Sequence, residues 1–119
     1  MSHDTDTQDQ GSVTDPNKAV DFMILNSKSF AQAKAQRVYL EEFRKSKKAL
    51  LMNQCTEKAW AAKEAYAYSH PEYLELLEGI REAVRFEEAL RWRLTGSQLR
   101  VEVWRSQNAN NRSQDRTMR

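Results

Sequence analysis

The chain has 119 residues, of which 30% are charged and 39% hydrophobic, with three Gly and two Pro; that is one domain, and it excludes collagen-like, membrane-spanning and Pro/Gly-rich disordered classes. A single cysteine, Cys55, excludes an intramolecular disulfide framework and a cysteine-based zinc site. The net charge of +2 hides an asymmetry, because Asp4, Asp6, Asp9, Asp15 and Asp21 against Lys18 give residues 1–21 a net of −4 and leave +6 on the rest.

Residues 1–14 show no apolar periodicity and read as a disordered acidic arm. No charged start leads into an apolar run, so no secretion signal is expected and the expected compartment is the cytoplasm. Asp15-Pro16 has the form of an N-cap followed by Pro at the first helical position. Val20, Met23 and Ile24 then suit a short amphipathic helix over about 16–25, although Phe22-Met23-Ile24-Leu25 is also compatible with a strand. Asn26-Ser27-Lys28-Ser29 reads as a break, and Ser29 with Gln32 has capping-box spacing.

From Phe30 to about Ala67 the sequence has neither Gly nor Pro. Leu51, Cys55, Ala59, Ala62 and Tyr66 step by three or four, and Leu40, Phe43 and Leu50 extend the stripe backwards. The reading is one long helix over about 30–67. Ser69-His70-Pro71-Glu72 ends it and starts a second long helix over about 71–110, with Ser69 and Glu72 at capping-box spacing. Leu76, Ile80, Ala83, Leu90, Leu94, Val101 and Trp104 keep to one broad face of that helix. Gly96-Ser97 allows a break there, but the apolar face resumes in phase and favours a continuous helix. The hairpin domain then covers 15–112, and residues 113–119 form a basic tail.

The fold expected is therefore all-α: a long antiparallel helical hairpin, dimerising into a four-helix bundle or coiled coil. A turn at Ser69–His70 makes the numbers of facing residues sum to about 139. That register pairs Trp60 with Gly79, Phe43 with Gly96 and Trp104 with Ala35, each large side chain against a small one. Two helices share one seam, which leaves Tyr39, Leu77, Trp92, Leu99 and Val103 for an oligomer interface.

Catalytic patterns are scarce. There is no Gly-rich phosphate loop, no H-E-x-x-H and no G-x-S-x-G. Cys55 reads as a small core residue, and His70 as a cap of the second long helix. Glu41-Glu42 and Glu87-Glu88 lack the Glu-x-x-His pattern of bundle di-metal sites. The expectation is no enzyme, no metal and no cofactor.

Arg44-Lys45-Ser46-Lys47-Lys48 is the sharpest local feature. It is a candidate phosphate contact, and the expected register adds Arg91 and Arg93 beside it. Arg112 and Arg116 in the tail complete the candidate nucleic-acid-binding set. The same run also reads as a soluble face balanced by Glu41, Glu42, Glu87 and Glu88.

The stretch Val38-Tyr39-Leu40-Glu41-Glu42-Phe43-Arg44-Lys45-Ser46-Lys47-Lys48-Ala49-Leu50-Leu51-Met52 resembles a family of small helical proteins encoded by tailed bacteriophages and prophages. His70-Pro71-Glu72-Tyr73, Leu90-Arg91-Trp92 and Val103-Trp104-Arg105-Ser106 look similar to the same family, so the resemblance covers about residues 19–116. It carries no catalytic residues. It implies an accessory role in phage DNA recombination or replication, in the host cytoplasm, through DNA, RNA or a phage or host enzyme of DNA metabolism. The other functional readings are a protein-interaction module that inhibits a host defence or nuclease complex, its acidic arm mimicking DNA, and a virion or packaging component. No membrane partner is expected.

Overall fold

The computed structural model describes residues 15–118, and among these the protein is all-α. The elements are α1 (Pro16–Gln54), α2 (Trp60–Ser69) and α3 (Pro71–Met118), and α1 and α3 pack antiparallel as a helical hairpin. The arm expected over 1–14 lies outside the described residues, as does Arg119. The chain divides into two compact units, one formed by Ser29–Leu90 and one by the segments before Ser29 and from Arg91 onward.

In the first unit the expected single helix over 30–67 is replaced by two helices and a corner. α1 stops at Gln54, and the chain turns through residues 55–59 into α2. Cys55 N–H closes the last turn by donating to the Met52 carbonyl at 3.2 Å, and Lys63 Nζ donates to the freed Cys55 carbonyl at 3.2 Å. These bonds satisfy carbonyls that a helix end leaves open. The corner lets Ala67 and Tyr73 pack with Leu51 and Met52 into the buried cluster of this unit. Each large side chain buried there contributes about 1.5–3 kcal/mol, enough to override an uninterrupted run of helix formers.

The corner also overturns the expected register. Lys47 on α1 meets Glu72 on α3 at 2.9 Å, and Arg37 meets Glu87. Facing pairs are therefore displaced by roughly four to six helical turns from the register expected for a turn at Ser69–His70. The proposed contacts to Gly79 and Gly96 do not form, because a Cβ placed on either glycine meets nothing within 4 Å. Trp60 is exposed rather than packed. Leu50 and Tyr66, expected in the core stripe, are exposed as well, whereas Cys55 is buried as expected.

His70 joins α2 to α3 in extended backbone, with ψ of 136°. Its Nδ1 accepts from the Glu72 N–H at 3.1 Å, so His70 caps α3 as expected. Ser69 does not form the expected capping box, since its hydroxyl donates back to the Ala65 carbonyl at 2.7 Å.

In the second unit Asp15 caps α1 by accepting from Asn17 N–H at 2.9 Å and Lys18 N–H at 3.4 Å, as the Asp-Pro pair predicts. The expected break at 26–29 is absent, and α1 continues through it. Asn26 and Ser27 turn their side chains back onto the Phe22 and Ile24 carbonyls, which keeps these turn-forming residues inside the helix. α3 passes Gly96 unbroken and stays helical to Met118, beyond the expected end near 110 and through the segment read as a basic tail.

Candidate functional site

The basic run at the end of α1 is mostly neutralised by carboxylates. Lys45 Nζ lies 3.2 Å from Glu42, Lys47 Nζ 2.9 Å from Glu72, and Lys48 Nζ 2.9 Å from Glu64. Lys48 also stands over the Tyr68 ring, 4.7 Å from its centroid. Contact with Tyr68 first, and then with Glu64, raises the Lys48 pKa from 10.5 to about 12. The Lys47 ammonium lowers the Glu72 pKa. Arg44 is exposed, with no ion pair among the described residues.

Glu42 lies on α1 itself, whereas Glu64 and Tyr68 come from α2 and Glu72 from α3, which the expected register did not bring to this turn. The run lies beside Glu72 at the start of α3, whereas Arg91 and Arg93, expected beside it, belong to the other unit. Lys47 and Lys48 work as clamps holding α3 and α2 to α1.

The C-terminal part of α3 is different. Residues 91–118 carry Arg91, Arg93, Arg100, Arg105, Arg112 and Arg116 against Glu102 and Asp115. Arg93, Arg105, Arg112 and Arg116 are exposed, and no ion pair holds them among the described residues. Arg105 and Arg112 are seven residues apart and Arg116 is one turn further, so the three share a helix face. Trp92 and Trp104 adjoin arginines in this stretch and are both exposed, Trp92 at 68%. An α-helix with spaced arginines and neighbouring indoles offers phosphate contacts and a stacking surface together.

The residues assigned to an oligomer interface are all exposed. Tyr39 and Leu77 belong to the Ser29–Leu90 unit, and Trp92, Leu99 and Val103 to the other. Sequence reasoning missed an open groove of about 360 Å³ lined by Ser29, Gln32, Ala33, Gln36, Ala83 and Phe86. Its signal was weak, because half of its wall is Ser and Gln.

Among the described residues no three of His, Cys, Asp and Glu gather in a group that could hold a metal, and no helix is long and apolar enough to cross a membrane. No family model, curated protein or solved structure matches this chain.

Proposed function

We propose that the chain is a non-enzymatic accessory protein of DNA recombination or replication that contacts nucleic acid through the C-terminal half of α3. The observation that carries this reading is the contrast between two basic segments. Lys45, Lys47 and Lys48 are engaged by carboxylates, whereas Arg93, Arg105, Arg112 and Arg116 stand exposed on a helix with a local excess of four positive charges. Unneutralised arginines release counterions when they meet phosphate, and engaged lysines must first break a bond. Trp92 and Trp104 favour single strands, whose bases are free to stack on exposed indoles. The resemblance to phage-encoded proteins supplies the process.

The test is fluorescence anisotropy with a labelled single-stranded oligonucleotide and its duplex. Arg105→Gln, Arg112→Gln and Arg116→Gln together should abolish most binding, and Lys45→Gln with Lys48→Gln should change it little. The reverse order of effects would move the contact to the α1 run. No binding by the wild type at low salt would reject the reading.

A second reading, docking onto a partner protein, is favoured by Ile24 and Leu25, which lie on α1 more than two-thirds exposed.

A further inference from the structure

We propose that the acidic segment 1–14 docks on an arginine face at the C-terminal end of α3 and screens the surface that phosphate would use. The screening rests on the nucleic-acid reading, whereas the docking does not.

The face begins where the cover of α1 ends. Within the unit formed by Met1–Lys28 and Arg91–Arg119, α3 is half-buried at 94–97, at Val101 and at Asn108. Leu94, Ser97, Val101 and Asn108 step by three, four and seven, which makes them one stripe, the side turned to α1. After Asn108 every residue through Met118 is exposed. The stripe itself continues. At 3.6 residues per turn, Arg105 and Arg112 lie within about 50° of its centre and Arg116 within about 70°. The α1-facing side of α3 thus changes from apolar to basic as α1 runs out. No ion pair holds these three arginines among the described residues, and Asp115 is the one acid between 105 and 118.

Three features name segment 1–14 as the occupant. The first is charge. The segment contains Asp4, Asp6 and Asp9 and no Lys or Arg, three negative charges for three arginines. The second is placement. α1 runs antiparallel to α3, so the chain upstream of Pro16 joins α1 at the end where the arginine face begins. Asp15 precedes a proline and lies outside the helix, so the chain enters α1 from extended backbone. The third is spacing. In extended backbone Asp9 and Asp6 stand about 10 Å apart, and Asp6 and Asp4 about 6.6 Å. Along the axis of α3, Arg105 and Arg112 are about 10.5 Å apart, and Arg112 and Arg116 about 6 Å. Laid along α3 towards its C-terminus, Asp9, Asp6 and Asp4 therefore meet Arg105, Arg112 and Arg116 in order. Residues 10–14, which include Gly11, remain to bridge to α1.

Each such pair is solvated and weak alone. The tether supplies an effective concentration on the order of millimolar, which favours three pairs forming together. Phosphate can displace the segment, so the face is screened rather than closed.

The docking is tested without nucleic acid, on the full chain, by nuclear magnetic resonance. A nitroxide is placed on Thr7→Cys in a Cys55→Ala background, with helicity checked by circular dichroism. Cys55→Ser serves if Cys55→Ala loses helicity. At low salt the amide resonances of 105–118 should broaden. They should recover at high salt and when Asp4→Asn, Asp6→Asn and Asp9→Asn are combined. Absence of broadening at low salt overturns the proposal, as does broadening that survives the three Asp→Asn changes. Broadening of isotope-labelled chains by a nitroxide on other chains places the contact between copies and also overturns it.

The screening is tested by oligonucleotide anisotropy. The triple Asp→Asn variant should bind about three- to tenfold more tightly than the wild type at low salt. Glu57→Gln, Glu75→Gln and Glu78→Gln, an equal change in net charge within the Ser29–Leu90 unit, should leave affinity unchanged. Equal tightening by both triple variants overturns the screening. If neither the wild type nor the Asp→Asn variant binds, the nucleic-acid reading fails, and the resonance result alone decides the docking.

Discussion

Arg37 on α1 donates through Nε and Nη2 to the carboxylate of Glu87 on α3, fifty residues along the chain, and through Nη1 to Glu41 one turn away. Glu87 is 1% exposed, the one buried charged side chain among the described residues. A carboxylate removed from water needs a cation and hydrogen bonds to remain ionised. The pair therefore fixes which turn of α1 faces which turn of α3. The two carboxylates, Glu87 first and then Glu41, raise the Arg37 pKa.

The two members of the pair should respond unequally to removal. Arg37→Leu takes the guanidinium from a buried carboxylate, and the melting temperature should fall by on the order of 10 °C. Glu87→Leu should cost less, because Arg37 retains Glu41 and partial exposure to water. Converting both to Leu should recover most of the loss, since an apolar pair of similar volume avoids the desolvation cost. Thermal melts of the three variants, read by circular dichroism, check the order.

The clamps on the basic run predict a two-sided pH profile. The Lys48 pKa is raised above its unfolded value, so its contribution is fully present below about pH 10.5 and is lost as pH rises through about 12. The Glu72 pKa is lowered by Lys47, so its contribution is present above the usual carboxylate range and is lost as pH falls through the lowered value. Lys48→Met should blunt the alkaline limb, and Lys47→Met the acid limb. Both effects should be small, since these side chains are partly solvated and water screens them. Urea midpoints measured across pH would show each variant slightly less stable than the wild type at neutrality, where both contributions are present, with the difference closing at the alkaline extreme for Lys48→Met and at the acid extreme for Lys47→Met.

Gly96 lies in the interior of a continuous helix, and nothing occupies the space where its Cβ would be. Gly96→Ala should therefore stabilise the protein by about 0.5–1 kcal/mol through helix propensity alone. A loss of stability would mean that close packing surrounds Gly96.

The fold class and the starts of α1 and α3 were legible in the sequence. Asp15-Pro16 and His70-Pro71 carry their own chemistry, a side-chain acceptor before a ring that fixes φ. The corner at 55–59 was not legible. It contains neither Gly nor Pro, and Ala59 starts α2 with no side-chain cap. Tertiary burial of Leu51, Met52, Ala67 and Tyr73 creates the corner, and no local pattern announces it. Everything that depended on register failed with it, including the roles assigned to Gly79 and Gly96.

The candidate site divides along the same line. The charges of the 44–48 run were plain, but their neutralisation by Glu64 and Glu72 required the true register. The arginines of α3 needed only helix continuity to share a face, and that continuity was legible in the sequence. Phe86 was missed because it lies off the buried face of α3, and its groove partners Gln32 and Gln36 are polar.

The most direct measurement is the salt dependence of binding between the full chain and a labelled single-stranded oligonucleotide. Contacts from Arg105, Arg112 and Arg116 should give a log–log slope of about −2, at roughly 0.7 per phosphate for a single strand. The triple Arg→Gln variant should flatten that slope, and Lys45→Gln with Lys48→Gln should leave it unchanged. A slope that survives the triple variant, or an absence of binding at low salt, would contradict the account.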